Sequence, residues 1–235
     1  MISVCIATYN GAGFIVRQLN SVLSQLSEQD QVVVVDDCSK DDTVQVIKDT
    51  YGNRVEVYVN ERNAGVIKSF EKAISKARGD IIFLCDQDDM WLANKVETVV
   101  NEFRATNASV VVHDAYVTDG DGEIIHESWN VHNNNREKGL IGNIVKNSFT
   151  GCCMAFRKEI VRDIIPFPKS IEMHDQWIAL VCMMSKRKIA YIRKPLMKYV
   201  RHGGNVTGMR KRSFNEQLKG RLGTIKAVMQ YKATH

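Results

Sequence analysis

Five short apolar runs, at residues 3–7, 31–35, 54–59, 81–85 and 109–113, set the rhythm of the first half of the chain. Each has the length of a strand, and several are apolar on consecutive positions, the pattern of strands covered on both faces. Between them apolar residues recur at helical spacing: Phe14, Ile15, Leu19, Val22, Leu23 and Leu26, then Val44, Ile47 and Tyr51. A third helix is predicted over 66–77, stopped by Gly79, and a fourth over 94–103. Ser39-x-x-Asp42 ahead of the second helix resembles a capping box. Strands that alternate with helices predict an α/β domain with a Rossmann-like, mostly parallel central sheet and helices on both faces.

From about residue 115 the rhythm breaks. The stretch 129–139, with Asn133-Asn134-Asn135, is polar and reads as a mobile loop. Order resumes over 148–156, followed by a helix over 158–165 and a helix from near Asp175 that carries Trp177, Ile178, Val181 and Met184. Two strands, 189–193 and 196–201, come next. The expected division is one domain over 1–208, with halves 1–112 and 113–208, and a basic, amphipathic tail over 209–235.

A chain of 235 residues with 44% hydrophobic and 25% charged residues has enough material for one sizeable core. The net charge of +5 matters less than its placement. Most acids precede residue 130, whereas Lys186, Arg187, Lys188, Arg193, Lys194, Lys198, Arg201, Arg210, Lys211, Arg212, Lys219, Arg221 and Lys226 crowd the end. Such a patch attracts anions: substrate phosphates, nucleic acid or an acidic membrane surface. No stretch reaches the ~18 apolar residues of a membrane span, and the N-terminus runs directly into a strand rather than a signal peptide. The six cysteines lack C-x-x-C spacing and sit mostly in apolar runs, as reduced core thiols of a cytoplasmic protein do.

The chemistry lies where strands stop. Asp86, Asp88 and Asp89 end the fourth run and Asp36-Asp37 the second, while Thr8-Tyr9-Asn10 leaves the first. In a parallel sheet these ends share one edge, where ligands of open α/β sheets bind. Continued alternation would put Asp86 and Asp88 on one side, and like charges so placed raise a pKa or call in a cation. Oxygen ligands suit Mg²⁺ or Mn²⁺ with a diphosphate completing the shell. The loop after the first strand lacks the third glycine of G-x-G-x-x-G, and no P-loop is present.

With these residues in view, Val4-x-Ile6-x-Thr8-Tyr9-Asn10, Val35-Asp36-Asp37-x-Ser39-x-Asp41, Asn60-x-x-Asn63-x-Gly65 and Asp86-Gln87-Asp88-Asp89-x-Trp91 together resemble the family 2 inverting glycosyltransferases of the GT-A fold. Thr150-Gly151-Cys152-Cys153, His174-Asp175-Gln176-Trp177 and Tyr199-x-Arg201-His202-Gly203-x-Asn205 are similar to a bacterial branch that includes rhamnosyltransferases. The resemblance implies a nucleoside-diphosphate sugar donor and a surface-glycan acceptor, free or lipid-linked, with no nucleic-acid partner. It assigns Thr8, Tyr9 and Asp37 to the nucleoside and Asp86 and Asp88 to a divalent metal under the diphosphate; Asn63, Lys68, Gln87 and Trp91 are further donor-side candidates, with Lys68 as readily a solvated helix charge, and His202 is a candidate metal ligand or a surface histidine. Asp175 matches the general base, although a helix N-cap is an equally ordinary use of an Asp there. Trp91 could wall the donor site or simply pack. The family's Q-x-x-R-W element is absent. Two other readings stay open: a nucleotide- or glycan-binding protein on a degenerate scaffold, and a nucleotidyltransferase. The basic tail is expected to touch the inner face of an anionic membrane.

Overall fold

The computed structural model describes residues 1–201 and 213–234. The expected helices and strands of the first half are present: β1 (Ile2–Thr8), α1 (Ile15–Leu23), β2 (Gln31–Asp36), α2 (Thr43–Tyr51), β3 (Glu56–Val59), α3 (Val66–Lys76), β4 (Ile81–Asp86) and, after the unexpected two-residue strand β5 (Met90–Trp91), α4 (Lys95–Thr106). The second half contributes β6 (Val110–Thr118), β7 (Ile124–His126), α5 (Trp129–His132), α6 (Leu140–Val145), β8 (Met154–Arg157), α7 (Val161–Ile164), α8 (His174–Met184), β9 (Ile189–Val200) and α9 (Phe214–Thr234).

All the strands join one nine-stranded sheet in the order β3-β2-β1-β4-β8-β6-β9-β5, with β7 on β6. The pairings of β1 with β2 and β4, of β2 with β3 and of β6 with β9 are parallel, and β8, β5 and β7 run against their neighbours. Helices cover both faces. Val4, Ile6, Val32, Val34 and Phe83 pack under α1, α2 and α4, while Cys5, Val33, Val35, Ile82 and Leu84 pack under α3 and α8.

The sheet must curl. Laid flat, β4 and β5 would stand four strand spacings apart, roughly 19 Å. The chain from Asp86 to Met90 can reach only about 14 Å. Closure brings Met90 and Trp91 onto Lys198 and Met197 of β9, and with them the end of β9 arrives beneath the acidic strand end of β4.

Several expectations need correction. Ser39 caps nothing: its hydroxyl donates to Asp36, and Asp42 is the N-cap of α2 without a side-chain bond. The two strands expected over 189–201 are one, β9, because irregular pairing around Asp114 absorbs the Pro195 position instead of ending the strand. The polar stretch after residue 129 begins with the short helix α5, capped by Ser128 and anchored by Trp129, whose indole donates to Thr150 at 2.8 Å. The expected division at 112/113 falls inside β6. His202, Arg210, Lys211 and Arg212 lie outside the described residues.

Candidate active site

Thr8 and Asp36 end neighbouring parallel strands, and β4 ends beside them at Asp86. The loops that follow are stitched together. Asn10 N–H donates to Ser39 Oγ at 2.9 Å, Lys40 N–H to Asn10 Oδ1 at 2.8 Å, and Gly11 N–H to Thr43 Oγ1 at 2.8 Å. Gln87 clasps the backbone of Tyr9 like a peptide group, accepting from its N–H at 2.9 Å and donating to its carbonyl at 3.1 Å. That clasp requires glycine next door, because a Cβ on Gly11 would lie 2.3 Å from Gln87 Oε1. The Tyr9 ring stays 43% exposed at the crevice edge, and Thr8 is buried there.

Asp37 is buried and heavily bonded. Burial works against its charge, but hydrogen bonds from Ala64 N–H, Asn60 and Gly65 N–H outweigh it and hold the pKa below the usual carboxylate range. The carboxylate therefore shapes the 60–65 loop, on which Asn63 is exposed. Lys68, one turn into α3, is held by Glu71 at 2.7 Å.

The acidic cluster is arranged differently from the expected alternation. β4 ends at Asp86, and the chain bends before β5 starts at Met90, so strand periodicity does not extend to Asp88. It is Asp89 that turns back under Asp86: their carboxylate oxygens and Cys152 Sγ lie within 4.8 Å of one another. Asp89 is wholly buried. One of its oxygens accepts Val200 N–H at 3.3 Å, while Oδ2 has no hydrogen-bond partner among the described residues. Burial first, then the charge of Asp88, raises the Asp86 pKa to about 7, and burial with the charges of Asp86 and Asp88 raises that of Asp89. An orphaned buried carboxylate oxygen among three mutually repelling acids is a donor set that a hard divalent cation fits.

Behind the cluster lies a residue that no sequence signal marks, the fully buried Lys95. Its Nζ donates to the Cys152 carbonyl at 2.9 Å and sits 4.1 Å from the centre of the Trp91 ring. Trp91 is 4% exposed and also packs on Phe83. Its ring packs in the core.

Asp175 enters from α8. Met173 occupies the N-cap position and Asp175 lies in the first turn, so its carboxylate is not the cap. Oδ1 accepts Gln176 N–H at 2.7 Å and Asn147 Nδ2 at 3.2 Å. Burial nonetheless raises its pKa to about 6. Its charge also contributes to raising Asp86, so the two carboxylates lie near enough to interact. Beyond Asn147, the segment Ser148-Phe149-Thr150 borders a cavity of about 620 Å³ that also meets His113, Glu127, Arg136 and Tyr191. Phe149 and Tyr191 give it aromatic surface, with ring centroids 6.3 Å apart.

Comparison with known proteins places these features in a lineage. A glycosyltransferase of Nostoc sp. is 25% identical over 213 residues, covering 87% of this chain and 66% of its own. Residues 1–349 of TarS from S. aureus, crystallised with UDP-GlcNAc, superpose with a TM-score of 0.73 at 22% identity, over 96% of this chain and 66% of that one. The mannosyltransferase PcManGT from Pyrobaculum calidifontis, in complex with GDP-Man and Mn²⁺, gives 0.61 at 18% identity, over 99% and 63%. The chain thus spans slightly less than two thirds of the length of each, and its fold is the GT-A fold of such structures. The family model for glycosyl transferase family 2 matches residues 3–165. The chain belongs to glycosyl transferase family 2.

Proposed function

We propose that this chain is a metal-dependent inverting glycosyltransferase that moves a sugar from a nucleoside-diphosphate donor to a hydroxyl of a glycan acceptor. The observation that carries the reading is a buried acidic cluster within electrostatic reach of a separate carboxylate, Asp175, whose pKa is raised to about 6. Near neutral pH such a group is mostly ionised yet basic enough to take a proton, which is what a general base requires.

Asp86, Asp88 and Asp89 would hold the cation, and His202 is a further candidate ligand. When bound, Mg²⁺ or Mn²⁺ supplies charge neutralisation for the departing diphosphate, so no general acid is needed. The protein's own groups do the rest. Thr8, the Tyr9 ring and the loop held by Asp37, with Asn63 and Lys68, surround the position of the nucleoside. The cavity beside Asn147 seats the acceptor, with Phe149 and Tyr191 as stacking surface for a sugar ring. Its hydroxyl oxygen bonds to the anomeric carbon from the side opposite the leaving group. The bond to the diphosphate breaks, and the hydroxyl proton passes to Asp175. A deoxyhexose such as rhamnose is the donor sugar that the sequence resemblance favours, and a surface polysaccharide, assembled on the cytoplasmic side, the acceptor.

A thermal-shift panel of nucleotide sugars with and without Mn²⁺ tests the donor side. A true donor at 100 times its dissociation constant should add about 2.7 kcal/mol of stability, and more with the metal than without. Equal shifts from nucleoside triphosphates would favour nucleotidyl transfer. Binding with no turnover of donor, whether or not acceptor glycans are added, would favour a binding protein.

A further inference from the structure

Helix α9 is apolar on two opposite sides. One side packs on the body through Thr224, Ala227 and Val228, all buried. Gly223 comes so close to the Ser170 carbonyl that a Cβ there would meet it at 2.2 Å. The other side faces outward: Leu218, Leu222, Ile225 and Met229 are 43%, 58%, 39% and 67% exposed. At about 3.6 residues per turn these four fall in one stripe roughly 60° wide, opposite the packed side. By the same spacing Lys219 and Lys226 border the stripe on one flank, Arg221 and Lys232 on the other. Glu216 is the helix's one carboxylate, against these four cations.

The stripe does not stop at α9. Arg221 Nε donates to the Val145 carbonyl at 2.9 Å, tying α9 to α6. Lys146 Nζ donates to the Asn133 carbonyl at 3.0 Å, tying α6 to the end of α5. Along this path Val145, Ile141 and Val131 are 52%, 78% and 81% exposed. Single exposed apolar side chains are ordinary, but seven on three helices tied to one another by these bonds mark an interaction surface.

Charge decides what covers it. A second copy of the chain, paired about a twofold axis, would set cationic flanks against each other. An apolar stripe bordered by Lys and Arg instead fits the boundary of an anionic bilayer, where the stripe enters the acyl region and the cations reach up to the headgroups. We propose that the α5–α6–α9 face docks on an anionic lipid surface, with α9 lying in the headgroup plane. The membrane contact expected of the basic tail is thereby carried by apolar side chains as well as by charge. No helix among the described residues is long and apolar enough to cross a membrane. One consequence rests on the transferase reading: Val131 also lines the cavity bordered by Ser148-Phe149-Thr150, so docking would bring that edge of the cavity toward the headgroups, where a lipid-linked saccharide presents its hydroxyls.

The test is co-sedimentation of the full chain with phosphatidylcholine vesicles, with and without phosphatidylglycerol. The wild type is expected to bind the anionic vesicles and only weakly the neutral ones. Leu222→Ser/Met229→Ser should lower partitioning at least about tenfold with an unchanged melting temperature. Lys219→Glu/Lys226→Glu should abolish the preference for anionic vesicles. Failure of the wild type to bind either vesicle overturns the proposal, as does unchanged binding by the Ser pair. A solution dimer that the Ser pair dissociates would assign the face to a second copy instead. Asp175→Asn should bind vesicles like the wild type, so loss of docking and loss of transfer are read separately.

Discussion

Asp175→Asn separates chemistry from structure. The amide oxygen can still accept the bonds that Asp175 Oδ1 receives from Gln176 N–H at 2.7 Å and Asn147 at 3.2 Å, so the first turn of α8 keeps its contacts. What disappears is a buried charge. Raising the carboxyl pKa from 3.8 to about 6 corresponds to roughly 3 kcal/mol against the ionised form. The sign follows from proton uptake: between these values the folded state holds the proton more tightly than the unfolded chain does. Stability from this group is therefore greatest below pH 4 and falls as pH rises through 6. The variant should melt no lower than the wild type at pH 8, and its advantage should vanish below pH 4. The rate behaves oppositely. With a pKa near 6 the base is about nine-tenths ionised at pH 7 and about one-tenth at pH 5, so wild-type transfer should fall about tenfold over that interval. Asn should cost 10²–10⁴-fold at pH 7 and flatten the acidic limb. The assay is initial-rate glycosyl transfer at saturating donor across pH 5–8, beside thermal melts. A variant that keeps more than about a tenth of the rate, or that retains the acidic limb, would refute the assignment.

Other outcomes follow from the same geometry. Asp89→Asn should weaken Mn²⁺ binding, measured calorimetrically with nucleoside diphosphate present, by about tenfold or more; unchanged affinity would leave the cation to Asp86 and Asp88. Lys95→Met strips a buried cation from behind three carboxylates and orphans the Cys152 carbonyl, so urea unfolding in EDTA at pH 8 should show a loss of about 3 kcal/mol. Added Mn²⁺ should recover part of that loss, and equal midpoints for variant and wild type would show that the ammonium is dispensable. Gly11→Ala must displace Gln87, breaking two bonds to Tyr9, and should raise the Kd for nucleoside diphosphate roughly tenfold. If Gln87→Ala alone leaves that Kd unchanged, the clasp does not position the tyrosine.

The readable parts of the sequence are those where one local rule decides. Val32 to Val35 and Ile82 to Cys85 are buried on both faces, so consecutive apolar residues could only be strands, and their acidic ends had to meet on one edge. The unread parts depend on closure. Asp89 and Cys152 come together because β5 swings to β9 and the turn before β8 arrives from far along the chain, and no periodicity encodes that. Lys95 reads as an ordinary surface residue near a helix start, since nothing local reveals that Trp91 and Cys152 enclose it. For Asp175 the sequence left a helix cap open beside the general base that the resemblance implies; Met173 takes the N-cap position, and the Asp175 carboxylate accepts from Gln176 N–H and Asn147.

The short 3₁₀ turn Gly151–Cys153 shows how cluster and base come to be held by one piece of backbone. Cys152 offers its thiol toward Asp86 and Asp89, while its carbonyl is gripped by Lys95. The Gly151 backbone supports the Asp175 carboxylate from the same turn. A side chain at Gly151 has no room, because its Cβ would lie 2.7 Å from His174 Nε2. That imidazole is fixed in turn by stacking on Phe70, with centroids 4.3 Å apart, and burial lowers its pKa to about 4. A neutral ring beside Asp175 adds no cation that would pull the base's pKa back down. The raised pKa of Asp175 is thus a product of burial, which outweighs the hydrogen bonds from Gln176, Asn147 and the Gly151 backbone, while the ammonium of Lys95 is spent on Cys152. A reaction that needs a repelled cluster to welcome a cation and a separate carboxylate to stay basic is served by keeping the buried ammonium of Lys95 on the cluster's side of that turn.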